Sequence, residues 1–315
     1  MNSQQYELSL KGLPEAHGEI KANDLSKVLD ALLKTTERAT RLLALGEGCA
    51  QGTRPAWLSA TLDVTIKKLK KGSTVMVLEA PLLKDVASDQ FSQNEFWRKT
   101  PDEEDTALDL AAYAIQEATS DGENSGDRLD ASVIDAALEF KKVAKSSNII
   151  FAFKPLGTSK GHFQIKDTDY ERIAAKKSMI PKEKAFVVSG KLDVIQHTAG
   201  QFKLALSNGQ NLLGKLDVEF LDQNSLQAYW GKEVTVEGIV VFKPNGTPQI
   251  IHARKLMEKT TGDELFEHLP NARREIKQEE LFPETAQKAA NTDPMSLWNL
   301  WEGEESVEEL LTMID

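Results

Sequence analysis

The 315 residues contain a single cysteine, Cys49, and no CxxC pair. An internal disulfide is therefore excluded, and so is a thiolate zinc knuckle. No stretch approaches the 18 consecutive apolar residues of a membrane-spanning helix. The opening MNSQQYELSL has neither the basic nor the apolar part of a secretion signal, so a cytosolic protein without membrane contact is expected. Cationic excess is missing too. Against 49 Asp and Glu stand 38 Lys and Arg, a net charge of −11. That balance argues against a chain whose main work is coating nucleic acid, because phosphate binding draws on clustered Lys and Arg.

Catalytic signatures are also lacking. GxSxG is absent, and neither GEGCAQG (46–52) nor GTSKG (157–161) has the spacing or flanking elements of a phosphate loop. The five histidines, His17, His162, His197, His252 and His268, are far apart, with no partner at ligand spacing. No metal, no cofactor and no enzymatic activity are expected.

What is present is enough apolar residue, 40%, for real cores. YELSL (6–10) alternates like a half-buried strand. Asp24 can cap a helix whose stripe is Leu25, Val28, Leu29, Leu32, Leu33, Thr36, Ala39 and Leu43. A hairpin is expected with Leu62, Val64 and Ile66 on one arm, Val75 and Val77 on the other, and Lys71-Gly72-Ser73 at the turn. Thr100, Pro101 and Glu103 spell a capping box, and further on Val133, Ile134, Ala137 and Leu138 mark another helix, followed by a strand at 148–155. These pieces make an α+β domain over residues 1–178.

Residues 182–258 change to strands. FVVSGKLDVIQH carries Gly190 at an expected bend, QFKLALS alternates Phe202, Leu204 and Leu206, and NLLGKLDVEF follows a Ser207-Asn208-Gly209 turn. A short helix capped by Asp222 precedes EVTVEGIVVF, the Pro244-Asn245-Gly246 turn and PQIIHARKLM. Three strands, a helix and two strands is an order that resembles the OB-fold barrel, with an SH3-like barrel still open. The fold class expected is thus α+β: an N-terminal α+β domain, then a small five-stranded OB-like or SH3-like barrel and a flexible acidic C-terminal tail.

An OB-like barrel raises the alternative of nucleic-acid binding through Lys191, Lys203, Lys215, Lys243, Arg254 and Lys255. Alternation turns Phe202 inward and leaves Lys203, Ala205 and Ser207 outside, so no aromatic stacking platform is expected. Nine basic and eight acidic residues between 181 and 258 nearly cancel. In this alternative the acidic tail would cover the basic face as an autoinhibitory DNA mimic.

Residues 259–292 read as a charged, proline-broken linker, and residues 293–315 as an amphipathic binding element. Asp293 and Pro294 start a helical phrase carrying Leu297, Trp298 and Trp301. After Gly303, Ser306 and Glu309 form a capping box ahead of Val307, Leu310, Leu311 and Ile314 at i, i+3, i+4 and i+7. Glu304, Glu305, Glu308 and Glu309 crowd the start of that helix, where its dipole favours negative charge. An isolated helix of this length is marginal in water, so its apolar face needs a surface, in cis or on another protein.

The phrase WEGEESVEELLTMID (301–315) resembles the acidic C-terminal ends, W-x-G-[DE]-E-S-x-E-E-L, of bacterial antitoxins that neutralise PIN-domain ribonuclease toxins. That resemblance, over about 15 residues, implies a protein partner: a toxin across whose metal-dependent site the segment lies. The compact ribbon-helix-helix domain of the usual small antitoxin is not evident in the remainder. The body resembles bacterial α+β proteins with an added barrel, a likeness that implies no activity.

Overall fold

The computed structural model describes residues 2–13, 19–50, 52–70, 74–91, 100–121, 126–144, 149–158, 160–196, 200–222, 225–270 and 272. The Lys71-Gly72-Ser73 turn and every residue proposed for the tail lie outside these. The contacts group Met1–Arg273 into one compact unit.

That unit begins with β1 (Ser3–Lys11), α1 (Ala22–Leu45), α2 (Ala56–Thr61), β2 (Thr65–Leu69) and β3 (Val75–Pro81). The short helices α3 (Leu83–Val86) and α4 (Ser88–Phe91) follow, then α5 (Ala107–Thr119), α6 (Ala131–Leu138), β4 (Ile150–Pro155), β5 (Phe163–Ile165) and α7 (Asp169–Met179). The strands form an antiparallel sheet in the order β2-β3-β1-β4-β5. β1 sits at its centre and buries Tyr6, Leu8 and Leu10, the alternation legible in YELSL. Tyr6, Phe153 and Phe163 stack across neighbouring strands at centroid distances of 5.0 and 5.1 Å. Helices α1, α5 and α6 contribute Val28, Leu32, Leu108, Ile115, Val133 and Ile134 to the same core.

Three local expectations shift. Helix α1 starts at Ala22, with Lys21 at the N-cap and no side-chain cap; Asp24 lies in the first turn, bonded to Lys27. The capping box exists, but at Thr106 and Asp109 instead of Thr100 and Glu103. Thr106 accepts from Leu108 N–H, and Asp109 accepts from Thr106 N–H at 2.8 Å and from the Tyr6 hydroxyl, so this cap is tied into the sheet core. Leu62 and Val64 follow helix α2 and belong to no strand, while β2 is an exposed edge strand that leaves Ile66 43% accessible.

The barrel comprises β6 (Lys184–Gln196), β7 (Gln201–Ala205), β8 (Asn211–Leu216), the short helix α8 (Ser225–Tyr229), β9 (Glu233–Phe242) and β10 (Pro248–Glu258). It closes in the order β10-β8-β7-β6-β9, with β8 and β10 parallel and every other pair antiparallel. Closure through the third and fifth strands, with a helix between the third and fourth, is the OB-type arrangement. Phe202 points inward as alternation predicts, and its ring lies over Gly214 on β8, where a Cβ would fall 2.1 Å from it. Gly190 marks the point where β6 passes from pairing with β9 to pairing with β7, and the Ala205 carbonyl comes within 2.6 Å of where its Cβ would be.

Candidate functional site

Two separately readable domains meet at the C-terminal end of α1. A helix leaves its last carbonyls without intrahelical partners. Here Gly46 ends α1 at φ 81°, in the left-handed region that glycine adopts without strain, and two glutamines of the barrel supply the missing donors. Gln201 Nε2 donates to Leu45 O at 2.7 Å, and Gln249 Nε2 donates to Gly46 O at 2.6 Å. The next residue, Glu47, reaches Lys215 Nζ at 2.6 Å and His252 Nε2 at 2.8 Å. Burial works against the Glu47 carboxylate, but hydrogen bonds from His252 and Lys215 outweigh it and hold its pKa below the ordinary value. The first two residues of GEGCAQG thus fasten helix to barrel, while the Gly48 N–H donates to Asp130 at the start of α6, at 2.7 Å. A second contact joins Lys243 to Asp127 at 2.5 Å, beside Gly126, which lies against Pro244.

Beside these contacts lies a cleft of about 530 Å³. One wall comes from the sheet domain, with Leu42, Leu43, Asp102, Asp105, Tyr113 and Arg128; the other comes from the barrel, with Lys203, Leu213, Lys243 and Gln249. The size falls within the range of small-molecule pockets. Asp105 is 4% exposed, accepts from Asp102 N–H at 2.8 Å and takes the Tyr113 hydroxyl at 3.0 Å. Burial is the main cause raising its pKa to about 6, with Asp109 and Asp102 adding repulsion against those two hydrogen bonds. Burial and the same carboxylates push the Tyr113 phenol up as well, so it stays a donor. Arg128 lies 5.1 Å over the Tyr113 ring.

The raised Asp105 value carries a definite sign. A carboxyl that holds its proton more tightly folded than unfolded costs stability as pH rises from its ordinary value near 3.8 to about 6. Asp105→Asn is therefore expected to lose less stability than the parent chain across that window, with the difference between them levelling off above it. Urea unfolding of both proteins at pH 4, 5, 6 and 7 measures this; parallel profiles would contradict it.

The barrel cations read from the sequence are spread over different tasks. Lys203 is buried, 9% exposed, not outward in solvent as alternation led us to expect, because its face of β7 turns toward the sheet domain; Asp193 is its ion partner at 3.7 Å. Lys215 belongs to the Glu47 clamp and Lys243 pairs with Asp127. Arg254 bonds Asp217 at 3.3 Å and stacks 4.9 Å from the Phe220 ring. Lys191 and Lys255 are exposed. Trp298, Trp301, Glu304, Glu305, Val307, Glu308, Glu309, Leu310, Leu311 and Ile314 lie outside the described residues.

Comparison with protein-family models, curated sequences and solved structures returned no match. The site must therefore be read from its own chemistry. Among the described residues no group of three or more His, Cys, Asp or Glu is gathered to hold a metal ion. Among them too, no helix is long and apolar enough to cross a membrane. Cys49 is exposed. His162 bonds Gln116 at 3.0 Å, and His252 serves the clamp. Sequence reasoning missed Asp105, Tyr113, Arg128 and Gln249. The only local signal was Gly46-Glu47-Gly48 directly after a long apolar stripe, a helix stop that placed an acid where a helix ends.

Proposed function

We propose that the chain is a non-catalytic regulatory protein, antitoxin-like, that binds and neutralises a basic partner through its acidic segment 293–315. A PIN-type ribonuclease is the partner that the segment's resemblance favours. The observation that weighs most is the fate of the barrel's positive charge. Lys203, Lys215, Lys243 and Arg254, four of the six cations that a nucleic-acid reading would use, each meet a carboxylate of the same chain. A phosphate backbone would have to displace these pairs, and the counterion release that drives such binding would be correspondingly small. This supports a barrel that serves as a docked scaffold.

In the segment, Trp298 and Trp301 with Val307, Leu310, Leu311 and Ile314 supply anchors of the kind that dominate helix-in-groove interfaces. Glu304, Glu305, Glu308 and Glu309 match a basic surface and steer its approach, which makes association salt-sensitive. Removal of residues 294–315 should abolish co-purification with the product of the neighbouring gene when the two are expressed together. Undiminished co-purification would sink the reading. Tighter binding of single-stranded DNA after the same deletion would replace it with the autoinhibited adaptor.

A further inference from the structure

The sheet domain and the barrel fold around separate hydrophobic cores. The first is built from residues between Tyr6 and Ile173 and the second from residues between Val188 and Ala272, with none in common. The chain crosses from one to the other once, through residues 180–183, between the end of α7 and the start of β6. Ile180 leaves the helix in an extended conformation, and Lys182 and Glu183 are exposed. A connection outside regular structure can act as a hinge, because a few φ/ψ changes there turn one rigid body against another.

The side-chain bonds that join the two bodies, among the described residues, gather at two points. Gln201, Gln249, Lys215 and His252 hold residues 45–47, and Lys243 meets Asp127. Between the facing walls lies the cleft of about 530 Å³, which Gly46, Gln249, Asp127 and Lys243 all line. Domains joined by hydrogen bonds and ion pairs beside a cleft, with no shared apolar core, are of the kind that move relative to each other. The closed arrangement nevertheless covers the outer face of β7, where Gln201 is 2% and Lys203 9% exposed.

Glu47 is bonded to two barrel strands at once, to Lys215 on β8 and His252 on β10, and it belongs to neither core. Its side chain is 16% exposed, so taking it away leaves a partly buried lysine without its countercharge. We propose that the barrel is a hinged domain that swings about residues 180–183, and that Glu47 is the latch that holds it closed against the sheet domain. Opening parts the walls of the cleft and uncovers Gln201 and Lys203. The hinge makes no use of segment 293–315, so it stands or falls apart from the partner reading.

Double electron–electron resonance on the full chain tests the latch, with spin labels at Asp30→Cys on α1 and Glu237→Cys on β9, both exposed, in a Cys49→Ser background. With Glu47 in place, one narrow distance should dominate. Glu47→Lys, which sets a like charge against Lys215, should transfer most of the population to a broad distribution centred elsewhere. Lys215→Glu added to Glu47→Lys reverses the pair and should recover the narrow distance. An unchanged narrow distance in Glu47→Lys would overturn the proposal. A broadening that the added Lys215→Glu fails to reverse would overturn it too, since that result marks damaged packing in place of a latch.

Discussion

Gly238→Ala is expected to destabilise the protein by about 3 kcal/mol, the upper part of the range for an overpacked interior. Gly238 lies in the middle of β9, paired on one side with Phe186 of β6 and on the other with Ala253 of β10. A Cβ there would fall 2.2 Å from the His252 carbonyl oxygen and 3.0 Å from Ala253 Cα. Both obstacles are backbone, so no rotamer change relieves the clash. Relief requires β10 to move away from β9 next to the register shift between Ala253 and Lys255. Alanine in a strand would ordinarily gain about 0.5–1 kcal/mol over glycine through lower backbone entropy, a term the clash exceeds several-fold. Displacement of His252 also disturbs its imidazole, which holds Glu47. Urea unfolding of the purified variant measures the loss; a midpoint equal to that of the parent would show that β10 yields at no cost.

The elements that sequence reading located share one property: their pattern is imposed by a single buried face. YELSL alternates because β1 turns Tyr6, Leu8 and Leu10 into the core, and the α1 stripe recurs because one face of a long helix packs against α5 and α6. The barrel's strand order was legible for the same reason, with Phe202, Leu204, Val234 and Val236 filling one interior.

Features that depend on a second buried face were not. Lys203 sits on the outer face of β7, and period-two alternation separates the two faces without saying that a neighbouring domain covers the outer one. The capping box illustrates a different ambiguity. Thr100 with Glu103 and Thr106 with Asp109 both satisfy the spacing, and the contact between Asp109 and Tyr6 on the central strand favours the second. The cleft was illegible because Arg128, Lys160, Lys203 and Gln249 lie far apart in the chain and are brought together only by docking at Gly46 and Glu47.

The second large effect is expected in the acidic segment. Trp301→Ala combined with Leu310→Ala should weaken binding to the partner protein at least a hundredfold. Truncation of one buried tryptophan or leucine anchor costs about 2–4 kcal/mol where it fills a desolvated pocket, and 1.4 kcal/mol corresponds to a factor of ten. The segment's four glutamates at 304, 305, 308 and 309 act mostly on the association rate, so their replacement by glutamine should slow binding and flatten its salt dependence while changing the dissociation rate little. The two kinds of substitution thus separate anchoring from steering. Neither should move the unfolding midpoint of the body, whose core is built from residues of the sheet domain and the barrel.

The claim that a partner is held by the C-terminal segment of this sequence is tested most directly by calorimetric titration of the co-purifying protein into the parent chain and into the Trp301→Ala, Leu310→Ala double variant. A fall in affinity of at least a hundredfold, with the thermal unfolding midpoint unchanged, is the predicted result. Equal affinity of the two chains for that protein would contradict it.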